Sequence, residues 1–293
     1  MSGALVLPAL VAGTGGIVAG LIPWPVRPML AVRLLTAVAV VVSVTVMGVL
    51  VLVAAGFSAR VSLLAPVLAS CPVIPAHHEV SYLEGVSASI LLAAGLLRVL
   101  LVRRRWRRAI SSADGRRFRI VDDAEFIAFA VPGDPGCVVV SRGLLDRLEP
   151  RERKVVFAHE RAHLRLGHHR YLYASELAAA LVPFLIPLAA QIRLATERSA
   201  DEAAVDALEG DRRLVARALA RVALSQTSHD RLVAAFGGSS VPLRVQALVG
   251  PPRHPSVRIV AAVAVGTVAI AAAVAGAVQL HHFAELVSHL CGF

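Results

Sequence analysis

The residues that could do chemistry together are His159-Glu160-Arg161-Ala162-His163, within the run Lys154 to Gly167. On a helix, residues four apart share a face. Both imidazoles can therefore reach one metal ion while Glu160 points beside it, at the water such an ion would hold. This is the donor pattern of a zinc hydrolase. Val155, Val156, Phe157, Ala158, Ala162, Leu164 and Leu166 make the same helix a buried one. Buried His and Glu need partners, and a bound cation supplies one.

Catalytic zinc takes three protein ligands and keeps a fourth position for water. The segment Glu197-Arg198-Ser199-Ala200-Asp201-Glu202 reads as a second helix on which Glu197 and Asp201 share a face. One carboxylate can bind the metal while the other orients a ligand histidine. His169 competes as third ligand under the pattern HExxHxxGxxH, but position 166 is Leu, with the glycine one residue late at Gly167, and no methionine follows Met47. That pattern therefore fails, and His168 and His169 read as helix-terminal or cytoplasmic-surface histidines. No G-x-S-x-G surrounds a serine, Cys71, Cys137 and Cys291 have no CxxC spacing, and no glycine-rich phosphate loop is present. Serine and cysteine nucleophiles are thus weaker readings, and no nucleotide is implied.

The elements that must hold these groups are strongly apolar. The 293 residues are 57% hydrophobic, yet carry a net charge of +10, with mean hydropathy +0.70. A membrane protein with basic inner loops accounts for both. Residues 4–22, 34–57, 85–102 and 259–280 are the expected spans. The connection bearing Trp24, Arg27 and Arg33 is expected inside, the N-terminus outside, and Ser58 to Tyr82 forms an outer loop. Arg103-Arg104-Arg105-Trp106-Arg107-Arg108 then reads as a membrane-surface anchor that fixes the next part of the chain in the cytoplasm, and not as a nucleic-acid interface.

Residues 118–145 change period and break at Pro132-Gly133-Asp134-Pro135-Gly136, which predicts short antiparallel strands beside the site helix. An edge strand there can pair with an extended substrate backbone. Leu172 to Ile192 is apolar enough to span. His163 and Glu197 must nevertheless meet at one ion, and a single crossing of a core about 30 Å thick would separate them. A membrane-dipping hairpin or a buried helix is expected instead. Val205 to Leu224 reads as an amphipathic helix and Gly250 to Pro255 as a linker.

Phe118 to Asp122, Phe126 to Ala130, Val138 to Leu145, the HExxH and the Glu197–Asp201 pair succeed one another in the order seen in membrane-bound gluzincins, which this chain resembles over roughly residues 115–250. The two branches it resembles are the BlaR/MecR-type antirepressor peptidases, placed first, and the HtpX/Ste24-type proteases. The resemblance implies one zinc ion held by His159, His163 and Glu197, with Glu160 as general base. Arg244-Val245-Gln246-Ala247-Leu248 resembles the segment that closes the family's peptidase core, making Arg244 a candidate oxyanion or substrate contact beside the plainer role of ion-pair partner. Asp201 then stands behind the ligands and orients a histidine among them.

The expected architecture is an α+β integral membrane protein, with a three-span region at 1–102, a cytoplasmic peptidase domain with a small antiparallel sheet at 103–256, and a last span with an outer tail at 257–293. The expected function is zinc-dependent hydrolysis of a cytoplasmic protein, with a DNA-binding repressor as candidate substrate, the lipid bilayer as the other partner, and no direct nucleic-acid binding. Both termini are expected outside. The chain lacks K-T-G, and its only lysine is Lys154, so acylation by a β-lactam is not expected. The alternatives are an HtpX-like protease clearing membrane proteins, and a non-catalytic scaffold that keeps a metal site for stability. On the outer side, Cys71, His77, His78 and Glu79 would face His281, His282, Glu285, His289 and Cys291. That cluster suggests a metal or pH sensor with Cys71 bridged to Cys291.

Overall fold

The computed structural model describes residues 3–22, 24, 26–58, 81–110, 116–125, 127–226, 240–250 and 256–291. The chain is mainly helical. It begins with α1 (Gly3–Leu21), α2 (Pro28–Ser58) and α3 (Tyr82–Ile110), and ends with α10 (Ser256–Cys291). The stretches Pro28–Ala55 and Tyr82–Ile110 are long and apolar enough to cross a membrane, whereas Ala9–Leu21 and Val263–Gln279 are shorter apolar helices. Two of the four expected spans thus have the required length and hydropathy. Leu83, Ile90, Leu91, Leu97 and Leu101 of α3 are exposed, as side chains facing lipid would be.

After α3 come three strands, β1 (Phe118–Val121), β2 (Ala128–Val131) and β3 (Cys137–Ser141), in the order β1-β3-β2. The expectation of an antiparallel sheet holds for β2 and β3 and fails for β1, which pairs parallel with β3. The reason lies in the connection. Residues 122–125 pass over the C-terminal end of β3, where the Gly143 N–H donates to Asp123 O at 2.9 Å and the Ser141 hydroxyl donates to Glu125 O. A Cβ at Gly143 would stand 2.3 Å from Ala124 O, so only glycine admits this crossing. The chain reaches the far edge without a hairpin.

β3 runs into α4 (Arg142–Arg147), capped by the Ser141 side chain, which accepts from the Leu144 N–H. Next comes α5 (Pro150–Arg165), with Pro150 at its first turn and a capping box between Glu149 and Glu152. Val138, Val140, Leu144 and Leu148 pack beneath Phe157 and Leu164 of α5, fixing the helix over the sheet.

Leu172 to Ile192 is a helical hairpin. α6 (His168–Leu181) ends before Pro183, a single 3-10 turn covers Pro183–Leu185, and α7 (Ile186–Ala207) starts at once. Proline cannot donate into the preceding turn, which explains the break. The 14 residues of α6 rise about 21 Å, short of a hydrocarbon core. The hairpin packs among the first helices: Leu185, Leu188 and Ile192 share a core with Ala12, Ala19, Val32, Leu35 and Val42.

Two further helices, α8 (Arg212–Gln226) and α9 (Ser240–Val249), complete the part that follows the hairpin. Leu214, Val215, Ala218 and Leu248 pack against Val155, Ala204 and Val205, locking α5 to α7. Most of the expected outer loop lies outside the described residues, including Cys71, His77, His78 and Glu79, as do the side chains of His289 and Cys291 and most of the linker at 250–255. Within that cluster, His281 Nε2 stands 3.3 Å and His282 Nδ1 3.5 Å from the Glu285 carboxylate.

Candidate metallopeptidase site

Helices α5 and α7 cross so that the two histidines of one meet the glutamate of the other. His159 Nε2 and His163 Nε2 are 3.2 Å apart. Glu197 Oε2 lies 3.4 Å from the first, and Glu197 Oε1 3.7 Å from the second. All three donor atoms fall within 4.8 Å of one another. An ion bound tetrahedrally at about 2.1 Å holds its ligand atoms roughly 3.4 Å apart, so the spacing and the N,N,O donor set fit zinc. His169 is outside this group, though it lines the same cavity.

Two of the three donors are held from behind. Asp201, one turn after Glu197, places Oδ1 at 3.1 Å from His159 Nδ1, which keeps a proton on Nδ1 and makes Nε2 the nitrogen that a cation would take in exchange for its proton. Arg244 of α9 binds Asp201 through Nε at 2.8 Å and Nη2 at 2.7 Å, and its Nη1 lies 3.0 Å from Glu197 Oε2. All three guanidinium nitrogens are therefore engaged by carboxylates.

The charges result from these contacts. Burial opposes a charged His159, but the hydrogen bonds and negative charges of Asp201 and Glu197 outweigh it and raise its pKa to about 10. Burial opposes ionisation of Glu197 and Asp201 too. For Glu197 the bond to and charge of His159, then Arg244, pull it well below the carboxylate range; for Asp201 the Arg244 fork and His159 do the same. His163 is lowered to about 3, mainly by burial. A carboxylate pair that stays ionised beside neutral or displaceable imidazoles is a cation cage.

Glu160 stands beside this group. Its carboxyl is raised above its usual value, first by burial and then by the Glu197 charge, and it accepts a hydrogen bond from the Ala130 N–H of β2. A raised carboxyl next to a metal site suits a general base that must also return a proton. The cavity, about 390 Å³, is lined by His159, Glu160, His163 and Glu197, by β2 from Ala128 to Val131, and by Trp106, Ala109 and Ile110 at the end of α3.

Two relationships are not legible in the sequence patterns. His168 is wholly buried, and its Nδ1 stands 3.1 Å from His163 Nδ1. His168 opens α6, as the expectation of a helix-terminal histidine had it, and only the surface alternative is corrected here: Gly167 takes a left-handed turn at φ 64 and folds α6 back onto α5. The available signal is a glycine directly before a histidine at the end of the metal helix. Glu176 is the second. Its carboxylate accepts from Trp106 Nε1 at 2.7 Å, from Arg193 at 2.8 Å and from Arg105, and so ties the basic end of α3 to the hairpin.

A helix-borne HExxH completed by a glutamate of a second helix is the arrangement of a zinc metallopeptidase. Residues 101–210 match the model of Peptidase family M48. The match takes in the end of α3, the sheet, both ligand helices and the hairpin between them, and it supports a metallopeptidase of that family. No curated protein and no solved structure matches the chain.

Proposed function

We propose that the chain is an integral-membrane zinc metalloendopeptidase that hydrolyses a cytoplasmic protein, with a transcriptional repressor as its substrate class. The observation that carries the peptidase reading is one cavity shared by the ligand triad, Glu160 and the outer edge of β2.

That edge can be assigned. Ser141 N–H donates to Ile127 O, and Phe129 pairs with Val139, so Ile127 and Phe129 turn their backbone groups towards β3. Alternation then turns those of Ala128 and Ala130 outward, in agreement with the Ala130 N–H reaching Glu160. An extended peptide laid along Ala128–Ala130 pairs by main-chain hydrogen bonds, independent of side chains, and passes over the His159–Glu197 group.

When bound by His159, His163 and Glu197, zinc supplies an acidified water and a Lewis acid for the scissile carbonyl. Glu160 takes the proton of the attacking water and delivers it to the leaving amine. Asp201 and Arg244 keep His159 and Glu197 in place.

The membrane placement is supported by α2 and α3 and by the five arginines within residues 103–108, near the end of α3 beside the cavity. On this reading the active site lies at the inner surface of the bilayer, with the hairpin α6–α7 entering from that side. Both termini then lie outside, with α1 and α10 as additional spans.

The test compares the wild-type chain with Glu160→Gln in membranes and tracks which proteins shorten. Loss of a DNA-binding repressor only with the wild type is the expected result. Shortening of membrane proteins instead would favour clearance of damaged proteins, and zinc binding without any proteolysis would favour the scaffold. A reporter fused after residue 110 should be cytoplasmic; finding it outside would sink the topology.

A further inference from the structure

We propose that His168 is the positioning residue of the metal ligand His163: by accepting the His163 Nδ1–H it fixes the ring and tautomer that leave His163 Nε2 free for the ion. This deepens the metallopeptidase reading and rests on it.

The geometry allows one proton between the two rings. Their Nδ1 atoms are 3.1 Å apart, with centroids 4.8 Å apart and planes at 83°. His163 Nε2 faces His159 Nε2 and Glu197, so it must be bare to donate to a cation. A neutral His163 then carries its proton on Nδ1, aimed at His168. His168 must in turn be bare at Nδ1 and protonated at Nε2.

Packing alone does not account for an imidazole at this position. His168 is completely buried, and its Nε2 has no hydrogen-bond partner among the described residues. A buried polar atom without a partner costs stability that an apolar side chain of similar volume would not. What the imidazole offers in return is an acceptor at Nδ1. The backbone delivers that acceptor: Leu166 N–H donates to Ala162 O, Gly167 N–H donates to Leu164 O, and the positive φ of Gly167 turns the first residue of α6 onto the back of His163.

The two ligand histidines are thereby held differently. His159 has a charged acceptor, Asp201, itself forked by Arg244. His163 has a neutral one. A carboxylate in place of His168 would add a negative charge to a cage that already contains Glu197 and Asp201, whereas a neutral acceptor orients the ring without changing the charge offered to the ion.

The test uses the full chain in detergent micelles and zinc alone as ligand, with affinity read by competition with a chromophoric chelator. The variants are His168→Asn, His168→Gln and His168→Leu. An asparagine carbonyl can occupy the Nδ1 position, whereas a glutamine carbonyl reaches the Nε2 position, and leucine has no acceptor. The expected result is zinc affinity within about threefold of wild type for Asn and a loss of about 10- to 100-fold for Gln and Leu. Thermal midpoints of the metal-stripped chains should not track that order, since Leu removes an unpaired buried atom. Equal affinity of Asn and Gln, or a Leu variant that binds like wild type, would overturn the inference. The Asn and Gln pair decides it even where Leu does not fold. A wild-type chain that binds no zinc would instead overturn the metallopeptidase reading, and that is seen before any substitution is made.

Discussion

Arg244 closes a fork on Asp201, with Nε at 2.8 Å from one carboxylate oxygen and Nη2 at 2.7 Å from the other. Both partners are buried, and Asp201 passes the constraint to His159. An arginine on α9 thus orients a ligand on α5 through an acid on α7. Breaking such a buried pair leaves an uncompensated charge and costs about 3–5 kcal/mol. Arg244→Met should therefore lower the melting temperature of the metal-stripped chain, and Arg244→Lys should recover little of it, because an ammonium cannot fork. A methionine variant melting like wild type would show that Arg244 clamps nothing.

Glu160 touches none of the three ligand contacts. Glu160→Gln should keep zinc at one per chain while turnover falls by about 10²- to 10⁴-fold. Metal content and cleavage of a peptide substrate, measured on the same sample, check both halves. Loss of zinc together with activity would make Glu160 a ligand and not a base.

A proton and a cation compete for the same cage. With no metal bound, the pKa of His159 is raised to about 10, so the ring is charged below that pH, whereas His163, lowered to about 3, is neutral. Binding must expel one proton, from His159. Apparent zinc affinity should then rise about tenfold per pH unit at neutral pH and level off above about pH 10. Calorimetry in buffers of different ionisation enthalpy reads the released proton directly. A pH-independent affinity across the neutral range would mean that His159 is already neutral.

How much of this was legible in the sequence depends on the length scale of each contact. His159, Glu160 and His163 are set by one helical repeat, and Glu197 with Asp201 by another, so both faces could be read from spacing. That Leu172 to Ile192 had to turn back came from the need for His163 and Glu197 to meet, and Pro183 marks the turn. The parallel pairing of β1 was not legible, because it depends on Asp123 and Ala124 passing close over Gly143 and not on any alternation within Phe118–Val121. His168 escaped for a similar reason. Its role comes from one left-handed glycine that reverses the chain, whereas pattern reading assigns a polar residue at a helix boundary to the surface.

The outward edge of β2 makes a sharp distinction between neighbouring residues. Ala128→Pro removes an N–H that faces the cavity and leaves the ladder to β3 intact, so it should lower kcat/KM about tenfold, the worth of one substrate hydrogen bond, without altering zinc binding. Phe129→Pro removes an N–H that faces β3 and should destabilise the fold itself. If both variants behave alike in stability and in kcat/KM, substrate does not lie along this edge.

The same hairpin that brings Glu197 to the histidines is seated on α1 through glycines. A Cβ added at Gly20 would stand 2.5 Å from the backbone nitrogen of Leu188 and 2.8 Å from the carbonyl carbon of Pro187. Neither atom can move without displacing α7, and close helix approach at small residues is the main source of packing where lipid surrounds the bundle. At Gly13 the added atom would meet only the half-exposed ring of Phe184 at 3.1 Å, which can rotate. Gly20→Ala should therefore cost about 1–3 kcal/mol and weaken zinc binding by tilting Glu197, while Gly13→Ala should be close to neutral. Melting curves and zinc titrations of the two variants in one detergent decide it: equal behaviour would show that α1 does not brace the ligand helix.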